Sequence, residues 1–413
     1  MKKVIVIGGG AGGLMAAVSA SMHGGQVTLL EKMDAVGRKL LITGKGRCNI
    51  TNSADIPEII KNIPGNGAFL HSALRSFSNN DLVEFLQVQG IETKVERGGR
   101  VFPVSDKARD VVSAFEKSMK TLGVEVHTVS PVSEIVCDNS KVTGVLLKSG
   151  AYYQADAIVL ATGGMSYPGT GSSGDGYAIA KRLGHSIVEL KPSLVPLEVE
   201  EEWVKDLQGL SLKNVTATVY FNDKKIAEEF GEMLFTHFGL SGPIILSLSK
   251  SVAPLLNKKT GLVQIAINTK PALTLEVLDK RIQRDFEKYA RKAIKNALSD
   301  LLPSKMIDTV IDLSYIDPEK PVHQITRIER TRLIESLTAF TLTINRTRPI
   351  AEAIVTAGGV STKEVNPSTM ESKLVENLYF AGEVLDVDGY TGGYNLQAAF
   401  SMGYVAGRAA ASV

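Results

Sequence analysis

The chain has 413 residues, 44% of them hydrophobic, and a formal net charge of +2; it can bury a large core in two or three domains, and its charge balance argues against general polyanion affinity. No apolar run reaches the roughly 18 residues of a membrane span, and Met1, Lys2 and Lys3 lead straight into a glycine turn rather than a secretory leader. Cys48 and Cys137 are far apart, which fits a cytoplasmic location and excludes a sequence-adjacent redox dithiol.

Val4, Ile5, Val6 and Ile7 form an unbroken apolar run, as expected of a strand buried on both faces. Gly8, Gly10 and Gly13 follow as Gly-x-Gly-x-x-Gly. A helix of small residues is expected over 14–22 and a second buried strand over 27–30. Glu31 ends that strand, 31 − 13 = 18 residues after the third glycine. Strand, glycine turn, helix, strand and acid together form the dinucleotide fingerprint in its required context. Gly8 permits the tight turn, Gly10 lets a pyrophosphate approach the backbone, and Gly13 lets helix and strand pack closely. The helix N-terminus offers free N–H groups and a positive dipole end to phosphates, and Glu31 can accept from ribose hydroxyls.

Residues 33–52, rich in Gly, Lys, Arg and Thr, read as an extended loop. Helices are expected over 68–77, over 80–89 with Ser78 or Asn79 as cap, and over 108–122, where Val111, Val112, Phe115 and Met119 share a face. A third nucleotide-binding strand is expected over 124–127. Residues 131–137, 142–147 and 152–154 read as a β-meander, 157–160 as another buried strand, and a helix starts near Asp175 or Gly176.

The texture changes at Lys191-Pro192-Ser193. Two domains are expected: a discontinuous nucleotide-binding domain over 1–192 and 349–413, and an insert over 193–348. The insert reads as β-rich over 193–270 and 338–348, with strands over 215–221, 225–230, 263–268 and 340–345. Its 271–337 part reads as a small helical subdomain, with Glu276, Lys280, Arg284, Lys288 and Lys292 on one solvated face. The fold class is therefore α/β: a Rossmann domain interrupted by a β-barrel or sandwich and a small helical subdomain.

The returning segment decides between nucleotides. Residues 378–381 form an apolar strand ending at Gly382-Glu383. In two-domain flavoproteins such a terminal acid lies against the ribitol or pyrophosphate part of FAD. The glycine turn Gly392-Gly393-Tyr394-Asn395-Leu396 then opens a helix whose N-terminus would face the pyrimidine edge of the flavin and stabilise negative charge as the ring is reduced. Both ends of one long cofactor are accounted for, and the expected cofactor is FAD.

Over essentially its whole length the chain resembles the flavoprotein family of BaiN and YhiN type, NAD(P)/FAD-dependent or aminoacetone-oxidase-like oxidoreductases. The resemblance is carried by VIGGGAGGL, GRKLLITGKGRCNITN, GGRVFP, ATGGMSYPGTGSSGDGY, LFTHFGLSGP, TAGGV and FAGEVLDVDGYTGGYNLQAAFSMGYVAG. It implies a glutathione-reductase-like FAD-binding Rossmann domain interrupted by a barrel and a helical subdomain. It further implies that Gly8, Gly10, Ala11 and Gly12 line the pyrophosphate and that Glu31, with Lys32 beside it, binds the adenosine ribose. Gly37, Arg38 and Lys39 would lie over the phosphates; Gly44, Cys48, Asn49 and Thr51 would lead toward the isoalloxazine. Val132 would present its backbone to the adenine, Ala161, Thr162 and Gly163 would pass close to the dinucleotide, and Gly382, Glu383, Gly393, Tyr394, Asn395 and Leu396 would complete the flavin end.

The protein's share of flavin chemistry is to position a donor or acceptor against the ring and to move a proton. His237 and Tyr167 are candidate acids or bases and Arg100 a candidate anion holder; no metal site is read. Cys48 reads as a packed thiol, since a charge-transfer pair has no partner cysteine. A second strand–glycine–helix unit for NAD(P)H is not found, so NAD(P)H is expected as a transient electron donor. Three readings stay open: an NAD(P)H-dependent reductase of a small organic substrate, an oxidase of a small amine or aminoketone that releases hydrogen peroxide, and a flavin-dependent RNA-modifying or redox-sensing protein. The near-neutral charge disfavours RNA.

Overall fold

The computed structural model describes residues 1–258 and 260–412. The chain divides into two compact units, Met1–Ser193 with Ile350–Val413, and Leu194–Pro349.

The first unit is built on a five-stranded sheet in the order Leu378–Phe380, Ala157–Leu160, Lys3–Ile7, Gln26–Leu30, Glu125–His127, with every pairing parallel. Val4–Ile7 and all of Ala157–Leu160 are buried, as unbroken apolar runs in a doubly covered sheet should be. The reversal of strand order beside Lys3–Ile7 opens a crevice at the carboxyl ends of the strands, the usual place for a dinucleotide. Helix Ala11–Met22 starts there, and the C-terminal helix Tyr394–Ala411 packs along it. Small residues permit this approach: a Cβ on Gly403 would stand 2.3 Å from Gly12 O, and one on Gly407 2.2 Å from Ala16 O.

Three small sheets complete this unit. Val132–Asp138, Lys141–Leu147 and Tyr152–Gln154 form the expected meander. Arg100–Pro103 pairs with both Thr51–Asn52 and Thr93–Glu96, and Ile187–Ser193 pairs antiparallel with Val355–Val360. Two expectations need correction. Residues 33–52 are not one extended loop: they hold helix Arg38–Ile42, the 3-10 turn Thr43–Gly46 and strand Thr51–Asn52. Each piece is too short to leave a periodic signature. The helix expected over 68–77 is a 3-10 turn, Gly67–Leu70, followed by helix His71–Ser76. Helix Asn79–Val88 does begin on Ser78, with a reciprocal capping box to Asp81.

The second unit is a closed six-stranded barrel in the order Leu197–Val199, Gly239–Ser241, Lys224–Thr236, Ser211–Phe221, Val263–Asn268, Phe340–Thr347. Helix Pro243–Leu256, which sequence reading missed, buries Ile244, Ile245, Leu248, Val252 and Leu255 in the same core. Between the last two barrel strands come helices Leu275–Lys288, Ile294–Ala297, Ser304–Leu313 and Arg327–Thr338. Glu276, Lys280, Arg284, Lys288 and Lys292 are all exposed, although the helix ends before Lys292.

Candidate flavin-dinucleotide site

The glycines of the first turn are there for distinct reasons. Gly8 has φ +104°, and a Cβ there would lie 2.5 Å from Ala161 O. A Cβ on Gly13 would lie 1.8 Å from Gly8 O, so only glycine lets this helix pack on its own turn. Gly12 faces the last strand, 3.2 Å from Gly382 N by the same construction. A Cβ on Gly10 would meet nothing within 4 Å and would project into open space. A pyrophosphate needs that kind of opening at this turn. Helix Ala11–Met22 has no side-chain cap and no acidic residue in its first turn, which leaves its leading N–H groups for an anion. Thr162 Oγ1, just past strand Ala157–Leu160, is buried against Gly176 without a hydrogen-bond partner. This cradle fits FAD.

Glu31 is buried; Oε2 accepts from Gly9 N at 2.6 Å and Oε1 from Met33 N at 2.8 Å. It shapes the turn, and each oxygen keeps acceptor capacity for a ribose hydroxyl. The cations expected over the phosphates have carboxylate partners. Lys32 pairs with Asp175 at 2.6 Å and also bonds Ser173; Arg38 pairs with Asp34 at 2.9 Å; Lys39 pairs with Glu383 at 2.7 Å. Gly37 is left-handed at φ +70°, and its N–H donates to Gly9 O. Val132 begins its strand, buried and paired with Leu147. Ala161 and Gly163 flank Thr162 at the end of Ala157–Leu160.

At the flavin end, helix Tyr394–Ala411 also starts without a side-chain cap, on left-handed Gly393, where a Cβ would stand 2.3 Å from Thr51 O. With its amide oriented to satisfy both ends, Asn49 accepts from Gly393 N at 3.0 Å and donates to Thr51 O at 3.1 Å. Thr51 Oγ1 donates to Gln397 Oε1 at 2.6 Å, and Asn52 Nδ2 donates to Gly392 O at 3.0 Å. Asn395 holds its own preceding loop: Oδ1 accepts from Gly389 N, and Nδ2 donates to Gly389 O and Tyr390 O. Tyr394 is buried and Leu396 partly so. Gly44 is left-handed, and a Cβ on it would lie 3.0 Å from Asn49 N.

Cys48 is fully buried, and burial pushes its thiol up to about 11 despite a hydrogen bond with Thr43. It is protonated at neutral pH and is no thiolate partner for a flavin. Arg100 is half-buried in strand Arg100–Pro103, paired through its backbone with Asn52; its Nε donates to Arg97 O, and its guanidinium stands 4.0 Å from Glu96 Oε2 and 5.8 Å from the Phe102 ring centre. Tyr167 is left-handed (φ 51°, ψ 60°), and its N–H donates to Ala351 O; burial, then nearby Glu352, raises its phenol above the usual range. His237 belongs to the barrel unit, exposed between strands Lys224–Thr236 and Gly239–Ser241 and edge-on to Phe238. Sequence reading assigned no site role to Ser166, Thr356, Asn52 and Gln397, polar residues inside the quoted motifs whose hydrogen-bond partners lie far along the chain.

The parallel sheet, the open Gly10 turn and two helix N-termini without side-chain caps, at Gly10 and Gly393, are the features of a flavoprotein oxidoreductase with an FAD-binding Rossmann domain. The chain belongs to the HI0933-like family, which includes the BaiN and YhiN types: the model of the HI0933-like protein Rossmann domain matches residues 2–409. It is 33% identical to the 3-dehydro-bile acid delta(4,6)-reductase of Clostridium scindens, over 100% of this chain and 99% of that one. It is 32% identical to the ribosomal RNA dihydrouridine synthase of Haemophilus influenzae, over 97% and 96%. Among solved structures, the 3-ketosteroid delta1-dehydrogenase of Sterolibacterium denitrificans shares the fold, with a TM-score of 0.55, 14% identity and 99% of each chain covered. No described helix is long and apolar enough to cross a membrane.

Proposed function

We propose that the protein reduces a carbon–carbon double bond conjugated to a carbonyl, with NAD(P)H as the electron source. The observation that carries this reading is that relatives matched over nearly their full length are named for two substrates with one shared chemical element. One is named as a delta(4,6)-reductase of a 3-dehydro bile acid, the other as a dihydrouridine synthase. A ring carbonyl conjugated with the double bond is common to both substrates. Hydride addition at the β carbon gives an enolate, and protonation at the α carbon completes the reduction. When bound, FAD supplies that hydride.

The chain's own task is to hold the ring, exclude water and deliver a proton. Tyr167 is our choice of donor over His237. Its phenol stays protonated at neutral pH, and a left-handed backbone in a non-glycine residue is strain of the kind retained at functional positions. Arg100 is a candidate for holding an anionic group of the substrate. The net charge of +2 favours a small organic substrate over a polyanion.

The test is anaerobic turnover with NADH or NADPH against a 3-oxo-4,6-diene steroid acid and, separately, ribosomal RNA lacking dihydrouridine. Gain of two hydrogens by the substrate supports the reaction class, and the arm that reacts names the substrate. Turnover of neither, with hydrogen peroxide formed from an aminoketone, would favour an oxidase instead. Tyr167→Phe is expected to lower kcat about 10²-fold with FAD content unchanged; an unchanged rate would remove Tyr167 from this role.

A further inference from the structure

Glu383 follows strand Leu378–Phe380, and Lys39 lies in helix Arg38–Ile42, 344 residues earlier. Glu383 Oε1 accepts from Thr356 N at 2.7 Å and from Ser166 Oγ at 2.9 Å; Oε2 accepts from Lys39 Nζ at 2.7 Å. Lys39 also donates to Ser166 Oγ at 2.6 Å. The cluster is close-packed: a Cβ on Gly164 would lie 2.4 Å from Thr356 Oγ1 and 2.8 Å from Glu383 Oε1. It adjoins the dinucleotide cradle through Gly382, which backs onto Gly12.

A carboxylate has roughly four acceptor positions and an ammonium three donors. On that count the pair retains one acceptor, on Oε2, and one donor. With side chains 22% and 16% exposed, both are reachable. An uncompensated carboxylate here would repel two phosphates and a flavin that becomes more negative on reduction. We propose that Lys39 is a positioning residue for FAD that neutralises Glu383 and fixes its orientation, so that the pair presents one acceptor and one donor to cofactor hydroxyl and phosphate oxygens. The pairing adds neutralisation and orientation of Glu383 to the phosphate contact expected of Lys39, and the proposal rests on FAD binding alone, not on the identity of the substrate.

The test is a double-mutant cycle read by FAD titration of apoprotein and by the flavin midpoint potential. Lys39→Met is expected to weaken FAD binding about ten-fold or more and to lower the potential. Lys39→Met/Glu383→Gln is expected to bind FAD within about three-fold of Glu383→Gln alone and to restore the potential, because the two residues act as one unit. An equal loss from Lys39→Met in both backgrounds, or no loss in either, would overturn the proposal. Lys39→Gln serves the same cycle if Lys39→Met yields no folded apoprotein, and Lys39→Arg, which keeps the charge, is expected to retain most of the affinity. Wild-type apoprotein that fails to take up FAD would instead contradict the cofactor itself.

Discussion

Helix Leu275–Lys288 of the insert begins on Thr274, whose hydroxyl accepts from Val277 N, and it buries Leu278, Ile282 and Phe286 at every fourth position while Glu276, Lys280 and Arg284 face solvent. Helix Ala11–Met22 of the nucleotide unit has no such cap, no acid in its first turn, and nine consecutive buried residues from Gly12 to Ala20. The insert helix satisfies its local requirements by itself. The fingerprint helix leaves its N-terminus open and carries two glycines, Gly12 and Gly13, that cost helix stability. Local rules relaxed in this way mark the place where a cofactor supplies the missing interactions.

The sharpest way to break this contrast is within the fingerprint itself. Gly13→Ala drives a Cβ into Gly8 O, and a loss of about 3 kcal/mol is expected in denaturant unfolding of the apoprotein. Gly10→Val has open space, so a change of about 1 kcal/mol or less is expected, yet the purified protein should be colourless. A yellow, fully loaded Gly10→Val protein would remove the pyrophosphate from this turn.

Next in size is Thr274→Ala, expected to cost about 1 kcal/mol of stability and to leave FAD binding untouched. Loss of FAD in that variant would tie the insert helix to the cofactor.

The smallest effect concerns acid sensitivity. His185 is buried, with Nδ1 3.0 Å from Glu364 Oε2 and Nε2 2.8 Å from Ser372 Oγ; burial lowers its pKa, with Glu364 opposing. The Ser372 hydroxyl also accepts from Leu374 N and Val375 N, so it donates to Nε2 and fixes the Nδ1–H tautomer. The unfolded chain takes up this proton near pH 6.5 while the folded chain resists. This contribution to stability is therefore full above about pH 6.5. It is lost as pH falls below that toward the lowered folded value, and Glu364, itself held below the usual carboxylate range, adds a further loss only at more acidic pH. Urea midpoints are expected to fall between pH 7.5 and 5.5 in the wild type (roughly one unit either side of the histidine value) and to fall less in His185→Gln. An equal drop in both would place the titration elsewhere.

Three of the five strands were legible as apolar runs closed by glycine or acid: Val4–Ile7 by Gly8, Val27–Leu30 by Glu31, and Leu378–Phe380 by Gly382-Glu383 after Ala381. Helix Arg38–Ile42 was not, since five residues cannot display a 3.6-residue period. The fingerprint glycines were legible from their spacing, although the contacts that require them, Gly8 with Ala161 O and Gly12 with Gly382 N, join distant segments. The pairing of Lys39 with Glu383, and of Thr51 with Gln397, was not: nothing in either segment names a partner more than 300 residues away. Tertiary contact alone shows that Lys39, expected over the phosphates, has a carboxylate partner.

A titration of apoprotein with FAD and, separately, with FMN tests the two-ended cradle most directly. Binding of FAD at least about 100-fold tighter than FMN is expected, because FMN lacks the adenosine half that the Gly8–Glu31 turn would hold. Equal affinity for the two flavins, or no saturable uptake of FAD, would contradict it.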